Sequence, residues 1–204
     1  MKFILGTKDG MTQVYDADGV AHPATVVRVP SAKVTQVRTA EKDGYTAIQI
    51  ASGEQKEHRV SKAQKGHSGT AKNVKEFRAK GTQTLPSDIE AGAELDVSIF
   101  EPGDTIEVSA ISKGKGFQGG VKRYGFKGSK KTHGTKHHVR APGSIGATGP
   151  ARVFKGTRMA GRMGADRVTV KNLTVLQVNK DEQLLLVKGA VPGRKGALVE
   201  VRSA

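Results

Sequence analysis

The sequence predicts a mainly β chain: a small closed or nearly closed β-barrel, with a small irregular insertion and one long basic segment. Three observations carry this. Short runs rich in Val, Ile and Thr recur at regular spacing without helical periodicity. Asp-Gly and other polar turn signals separate them. The charge is concentrated in one stretch rather than spread along the chain. Closure removes the exposed edges that many short strands would otherwise leave.

Taken in order, "FILGTKDGMTQVY" offers two apolar runs joined at Asp9-Gly10, which predicts a hairpin. "PATVVRVP" and "KVTQVRT" read as the next strands. "EKDG" reads as a second turn, leading into "YTAIQIA". "LDVSIF", the turn "EPGD" and "TIEVSAI" predict another hairpin. Near the C-terminal end, "RVTVKN", "LTVLQV", the turn "NKDEQ", "LLLVK" and "ALVEV" continue the pattern. Residues 52–94 are less regular and read as a small subdomain inserted between strands. The predicted organisation is a body of residues 1–111 and 165–204, with residues 112–164 as a separate extension.

The chain has 204 residues and a formal net charge of +15. Thirteen of the 34 Lys and Arg fall between Ser112 and Gly164, with none of the 19 Asp and Glu, so the remainder is close to neutral. The same window holds 13 of the 26 glycines. Such a surplus points to a polyanion. A membrane surface would require an amphipathic helix with large apolar residues, and the chain offers none of useful length. The N-terminus turns polar after "FIL", so no secretory signal is expected. Without cysteine there is no disulfide, thiolate metal site or Cys nucleophile.

Residues 112–164 have too few apolar side chains to bury and too many glycines for a helix. In isolation they should be mobile or disordered, taking order from a partner. "GKGFQG" matches a dinucleotide fingerprint through Gly114, Gly116 and Gly119. However, the glycine-rich continuation is a poor helix and no acid follows before Asp166, so no cofactor is expected. Glycine also allows a backbone to approach phosphates, with Lys and Arg supplying charge. A merely solvated basic loop is the plainer alternative. Phe117, Tyr124, Phe126 and Phe154 recur among the bases and suit stacking on splayed bases, although Phe117 and Phe154 could equally pin the segment to the body.

His133, His137 and His138 lack neighbouring cysteines or carboxylates, so phosphate or base contacts are favoured over a metal. Arg158 and Arg162, like Met159 and Met163, are four apart; as a helical turn they would give one basic and one apolar face. The acids show no Ser/His/Asp arrangement or metal-site spacing, and the basic window has no carboxylate for general base work, so no enzyme is expected.

"SKGKGFQGGVKR", "HHVRAPGSIG", "RVFKGTRMAGRMG" and "LLLVKGAVPG" together closely resemble the bacterial branch of the ribosomal L-three family, the universal third protein of the large subunit. The likeness runs nearly end to end. It implies a Greek-key β-barrel of the translation-factor type, with a small α+β insertion and a long irregular extension threading into ribosomal RNA towards the peptidyl transferase centre. It also implies binding near the 3′ end of large-subunit RNA, early action in subunit assembly, a cytoplasmic ribosomal location, and neighbours that include the fourteenth and nineteenth bacterial large-subunit proteins. The RNA-facing residues it implies include Lys113, Lys115, Lys122, Arg123, Arg140, Arg152, Lys155, Arg158 and Arg162. The residue reading adds Lys127, Lys130, Lys131, His133, Lys136, His137 and His138. The resemblance also implies that Gly114, Gly116, Gly119, Gly120, Gly143 and Gly146 shape the backbone path. The Gln that some relatives carry methylated after "GSIG" is absent here, so that modification is not implied.

Three functional readings stand at this point: a structural RNA-binding ribosomal protein, a free-standing RNA chaperone, and an enzyme on a flavin-reductase-like barrel.

Overall fold

A computed structural model describes residues 2–79 and 89–203. The chain divides into two compact units, Met1–Ile111 with Arg167–Ala204, and Ser112–Asp166. The first unit begins with β1 (Phe3–Tyr15), β2 (Ala21–Arg28), β3 (Ala32–Arg38), the single turn α1 (Ala40–Asp43) and β4 (Ala47–Glu54). It continues through α2 (Lys62–Ser68), β5 (Ala71–Arg78), β6 (Glu94–Leu95) and β7 (Thr105–Ile111). The second unit holds β8 (Phe117–Gln118), α3 (Gly120–Tyr124) and β9 (Gly161–Arg162). The first unit then resumes with β10 (Arg167–Asn179), β11 (Leu184–Lys188) and β12 (Leu198–Ser203).

Six strands close into an antiparallel barrel in the order β1-β12-β7-β10-β11-β2. Side chains alternate across a strand, so every second residue points inward. Ile4, Val27, Ile106, Val108, Val175, Leu185, Val187, Val199 and Val201 fill the interior and are all buried. The other face of β1 carries Phe3 and Leu5, which pack on a four-stranded sheet of order β5-β4-β3-β6. Phe3 stacks on Phe77 of β5 with ring centroids 4.7 Å apart. Burial of β1 on both faces explains why "FIL" is a continuous apolar run rather than an alternating one.

Several sequence expectations change. Asp9-Gly10 makes no hairpin: β1 runs straight through it, and the register against β2 shifts between Lys8 and Met11. An Asp-Gly pair accommodates the extra residue of a bulge as well as it makes a turn. The hairpin turn is instead at Asp16–Gly19, where the Asp16 Oδ1 accepts from the amides of Asp18 (3.1 Å) and Val20 (2.9 Å).

"LDVSIF" does not pair with "TIEVSAI". Its first residue, Leu95, closes the two-residue strand β6 beside β3, then a 3-10 turn at Val97–Ile99 sends Val97 and Phe100 into the barrel core. "RVTVKN" and "LTVLQV" are one strand, β10, with a register shift between Val170 and Leu173 and Asn172 in the left-handed region at φ 56°. The "NKDEQ" turn joins β10 to β11 as expected.

Residues 52–94 include α2, β5 and β6, and the sheet holding those strands starts earlier, at Ala32 of β3. Residues 80–88 of that stretch lie outside the described residues.

A polar tie joins the start of β1 to the turn before β7. Asp104 Oδ2 accepts from Lys2 Nζ at 2.8 Å and from the Glu101 amide at 3.0 Å. The Lys2 hydrogen bond, then the Glu101 amide, hold the Asp104 carboxyl below its ordinary range. A depressed carboxylate stabilises the fold above its unfolded pKa and loses that contribution as pH falls through its folded value. Asp104→Asn should therefore cost about 1 kcal/mol at neutral pH in urea unfolding, with the difference fading in acid.

Candidate nucleic-acid interface

The second unit is held by backbone rather than by a core. From both ends it closes like a zipper. The Ser112 amide donates to the Asp166 carbonyl (2.9 Å), the Lys115 amide to Met163 (3.0 Å) and the Met163 amide to Gly116 (3.0 Å). Phe117 then pairs with Arg162 and Gln118 with Gly161, as β8 and β9. None of residues 112–166 is buried. The described cores draw nothing from them.

Among the described residues, none of the thirteen bases is paired with a carboxylate. Lys113, Lys115, Lys122, Lys127, Lys130, Lys131, Lys136, Arg140, Arg152, Lys155, Arg158 and Arg162 are exposed, and Arg123 is half-exposed. Among the described residues, every ion pair in the protein falls outside this unit. Three bases lie against aromatic rings. The Arg123 guanidinium lies 5.0 Å from the Tyr124 ring centroid and that of Arg158 lies 5.7 Å from it. Arg123 also donates to the Met159 carbonyl at 2.8 Å. Arg152 lies 6.0 Å from the ring of Phe154.

Arg158 and Arg162 are not on a helix. Residues 157–160 lie outside any helix or strand, and Arg162 belongs to β9. The Met159 carbonyl already accepts from Arg123, and the strand pairing at Gly161 and Arg162 excludes a helical turn. The fingerprint segment departs from a nucleotide cradle as well. Its glycines lead into β8 and then α3, which ends after five residues at Gly125 in the left-handed conformation. That is too short to present the ordered helix N-terminus a pyrophosphate requires.

The glycines divide into two groups. Gly120 packs under Phe126, and a Cβ there would meet the ring at 2.8 Å. Gly116 and Gly143 take positive φ, at 68° and 83°. At Gly114, Gly119 and Gly146 an added Cβ would meet nothing within 4 Å, and φ does not require glycine. Nothing inside the unit explains those three.

His133, His137 and His138 are exposed, and no group of three or more metal-ligating side chains occurs among the described residues. Phe117 (76% exposed) and Phe154 (57%) do not act as buried pins.

The family described as Ribosomal protein L3 matches residues 31–184. The protein named Large ribosomal subunit protein uL3 of Alcanivorax borkumensis is 50% identical over 207 residues, covering 98% of this chain and 96% of that relative. This chain belongs to the ribosomal protein L3 family. The like-named proteins of Thioalkalivibrio sulfidiphilus (49% identical; 98% of this chain, 95% of the relative) and Chlorobium phaeobacteroides (46%; 100% and 99%) match over a similar extent. The L3 family is not enzymatic, and this member is not an enzyme.

Proposed function

We propose that this L3-family chain is a structural constituent of the large ribosomal subunit, in the cytoplasmic ribosome, and that its unit Ser112–Asp166 binds large-subunit ribosomal RNA. One observation carries the RNA reading: thirteen bases, none neutralised by a carboxylate, on a backbone without a core. A structure with no buried side chains draws little from the hydrophobic effect, and its own charge strains it. A polyanion removes the repulsion and supplies the missing contacts. Gly114, Gly119 and Gly146, which nothing inside the unit requires, leave the backbone open to phosphates. Tyr124, with two guanidinium groups within 6 Å of its ring centroid, and the exposed Phe117 and Phe154 suit base stacking. In isolation, the segment is weakly held and RNA sets its final form.

The family resemblance supports the finer parts: attachment near the 3′ end of the RNA, early action in assembly, reach towards the peptidyl transferase centre, and neighbours that include the fourteenth and nineteenth large-subunit proteins. It also supports a barrel of the translation-factor type. The strand order β12-β7-β10-β11 has the 4-1-2-3 arrangement of a Greek key within the barrel strands.

Sedimentation tests the ribosomal reading. The tagged protein should travel with large subunits in a cell lysate, and its absence from them would end the assignment. A general RNA chaperone would bind unrelated RNAs as well as its ribosomal site, and this protein should not. Arg158→Ala combined with Arg162→Ala should flatten the salt dependence of RNA binding by about 1–2 in slope. The thermal transition of the barrel should not move; its loss would assign these arginines to packing.

A further inference from the structure

The near-neutral total of the first unit conceals a separation of charge. Residues 56–79 carry seven Lys or Arg against two Glu, whereas residues 89–112 carry six acids and no base. Some of those seven bases are engaged. Lys65 pairs with Glu57, Lys75 with Glu200 at 3.4 Å, and Arg78 lies 4.9 Å from the ring of Tyr45. Lys56, Arg59, Lys62 and Lys72 remain. All four are exposed, and none has a carboxylate within ion-pair range among the described residues.

The fold gathers three of them. Glu54 faces Ala71 across β4 and β5, which sets Lys72 next to the end of β4. Gln55 fastens this corner, its amide donating to the Thr70 carbonyl (3.1 Å) and its side chain to the Ala71 carbonyl (3.2 Å). The 3-10 turn Glu57–Arg59 folds back so that the Arg59 amide donates to the Lys56 carbonyl at 2.9 Å. Lys56, Arg59 and Lys72 therefore line one shallow pocket, together with Glu54 and Gln55. β5 is the edge strand of its sheet, so among the described residues no strand pairs with its outer backbone edge.

We infer that this corner is a second RNA-binding site, in which Lys56, Arg59 and Lys72 hold phosphates of the same RNA that the basic unit binds. The inference rests on the ribosomal reading above. The chemistry of the surroundings selects RNA over other acidic partners. A protein interface needs an apolar centre, and a membrane surface needs an apolar anchor. Among the described residues, the exposed large hydrophobic side chains stop at Val20 and resume at Ile111, leaving this corner with none. Cations on polar surface with an open backbone edge fit a phosphate chain.

The test is Lys56→Gln with Arg59→Gln and Lys72→Gln in the full chain, measured by binding to large-subunit ribosomal RNA across a salt series and by hydroxyl-radical footprinting. Affinity at moderate salt should fall about tenfold or more, and the slope of log K against log salt should shrink by about 2–3. The lost protections should differ from those lost in the Arg158→Ala, Arg162→Ala protein. Lys56→Arg with Lys72→Arg should retain both affinity and footprint. An unchanged slope and footprint in the triple variant would overturn the inference. So would an equal loss on neutralising Lys42, Lys180 and Lys188 to Gln, three exposed bases elsewhere on the first unit with no ion pair among the described residues, because only total charge would then matter. If the unsubstituted protein does not bind this RNA, the ribosomal reading fails instead.

Discussion

Replacing Lys113, Lys115, Lys122, Lys127, Arg158 and Arg162 together with Gln should lower affinity for large-subunit ribosomal RNA by about 10³ at moderate salt, while the barrel melts where it did before. Each base that neutralises a phosphate releases condensed counterions, contributing ~0.7–0.9 to the salt slope, so six contacts correspond to a slope change of about 4–5. The selectivity of the effect comes from where these side chains lie. All six are exposed and none pairs with an acid among the described residues, so their charge contributes little to folding. Gln keeps much of the length and polarity of the side chain, which leaves packing largely undisturbed. Filter binding at several salt concentrations, alongside a calorimetric scan, would separate the two quantities. Retained affinity would remove this unit from the RNA interface. A lost transition would show that the charges support the fold.

The sequence revealed most where one residue's chemistry sufficed. Short runs rich in Val, Ile, Leu and Thr marked β2, β7, β11 and β12, because the apolar character of a strand is local information. The charge of residues 112–164 was visible as a simple count. Features that depend on distant strands were hidden. Whether Asp9-Gly10 turns or bulges depends on the register of β2 against β1, and in place of the hairpin expected of "LDVSIF" β6 pairs with β3. Nothing local announces that Phe3 and Leu5 serve one core while Ile4 serves another.

In the candidate site, the spacing of Arg158 and Arg162 did not discriminate. Residues four apart share a face in a helix and also in an extended strand. The corner at Lys56, Arg59 and Lys72 escaped for a different reason. A charge total over the whole body cancels its bases against the acids of residues 89–112, and a count over 24 residues would have exposed it.

Gly164→Ala, which changes no charge, should weaken RNA binding about tenfold or more and leave the barrel's stability nearly untouched. Gly164 has φ 75° and is followed by Ala165 at φ 57°, so two successive residues are left-handed. This turn sets the approach of the two ends of the basic unit. A Cβ on Gly164 would lie 2.3 Å from the Lys113 carbonyl oxygen and 3.1 Å from both the Gly114 Cα and the Lys115 nitrogen. These are backbone atoms, so no side chain can rotate aside. The strained φ alone costs about 1–3 kcal/mol, and the overlap adds to it. Relief requires the segment to separate near the hydrogen bond between Lys115 and Met163, which would misalign Lys113, Lys115 and Arg162. Because the unit lacks a core, the distortion has no buried side chains to disrupt and should not register in the cooperative unfolding of the barrel. Comparison with the Gln variant then separates two contributions to RNA affinity. The Gln variant should flatten the salt slope, whereas Gly164→Ala should lower affinity with the charges all present, by increasing what RNA must spend on ordering the chain. Equal affinity in Gly164→Ala would mean that charge alone, with no preset backbone path, accounts for binding.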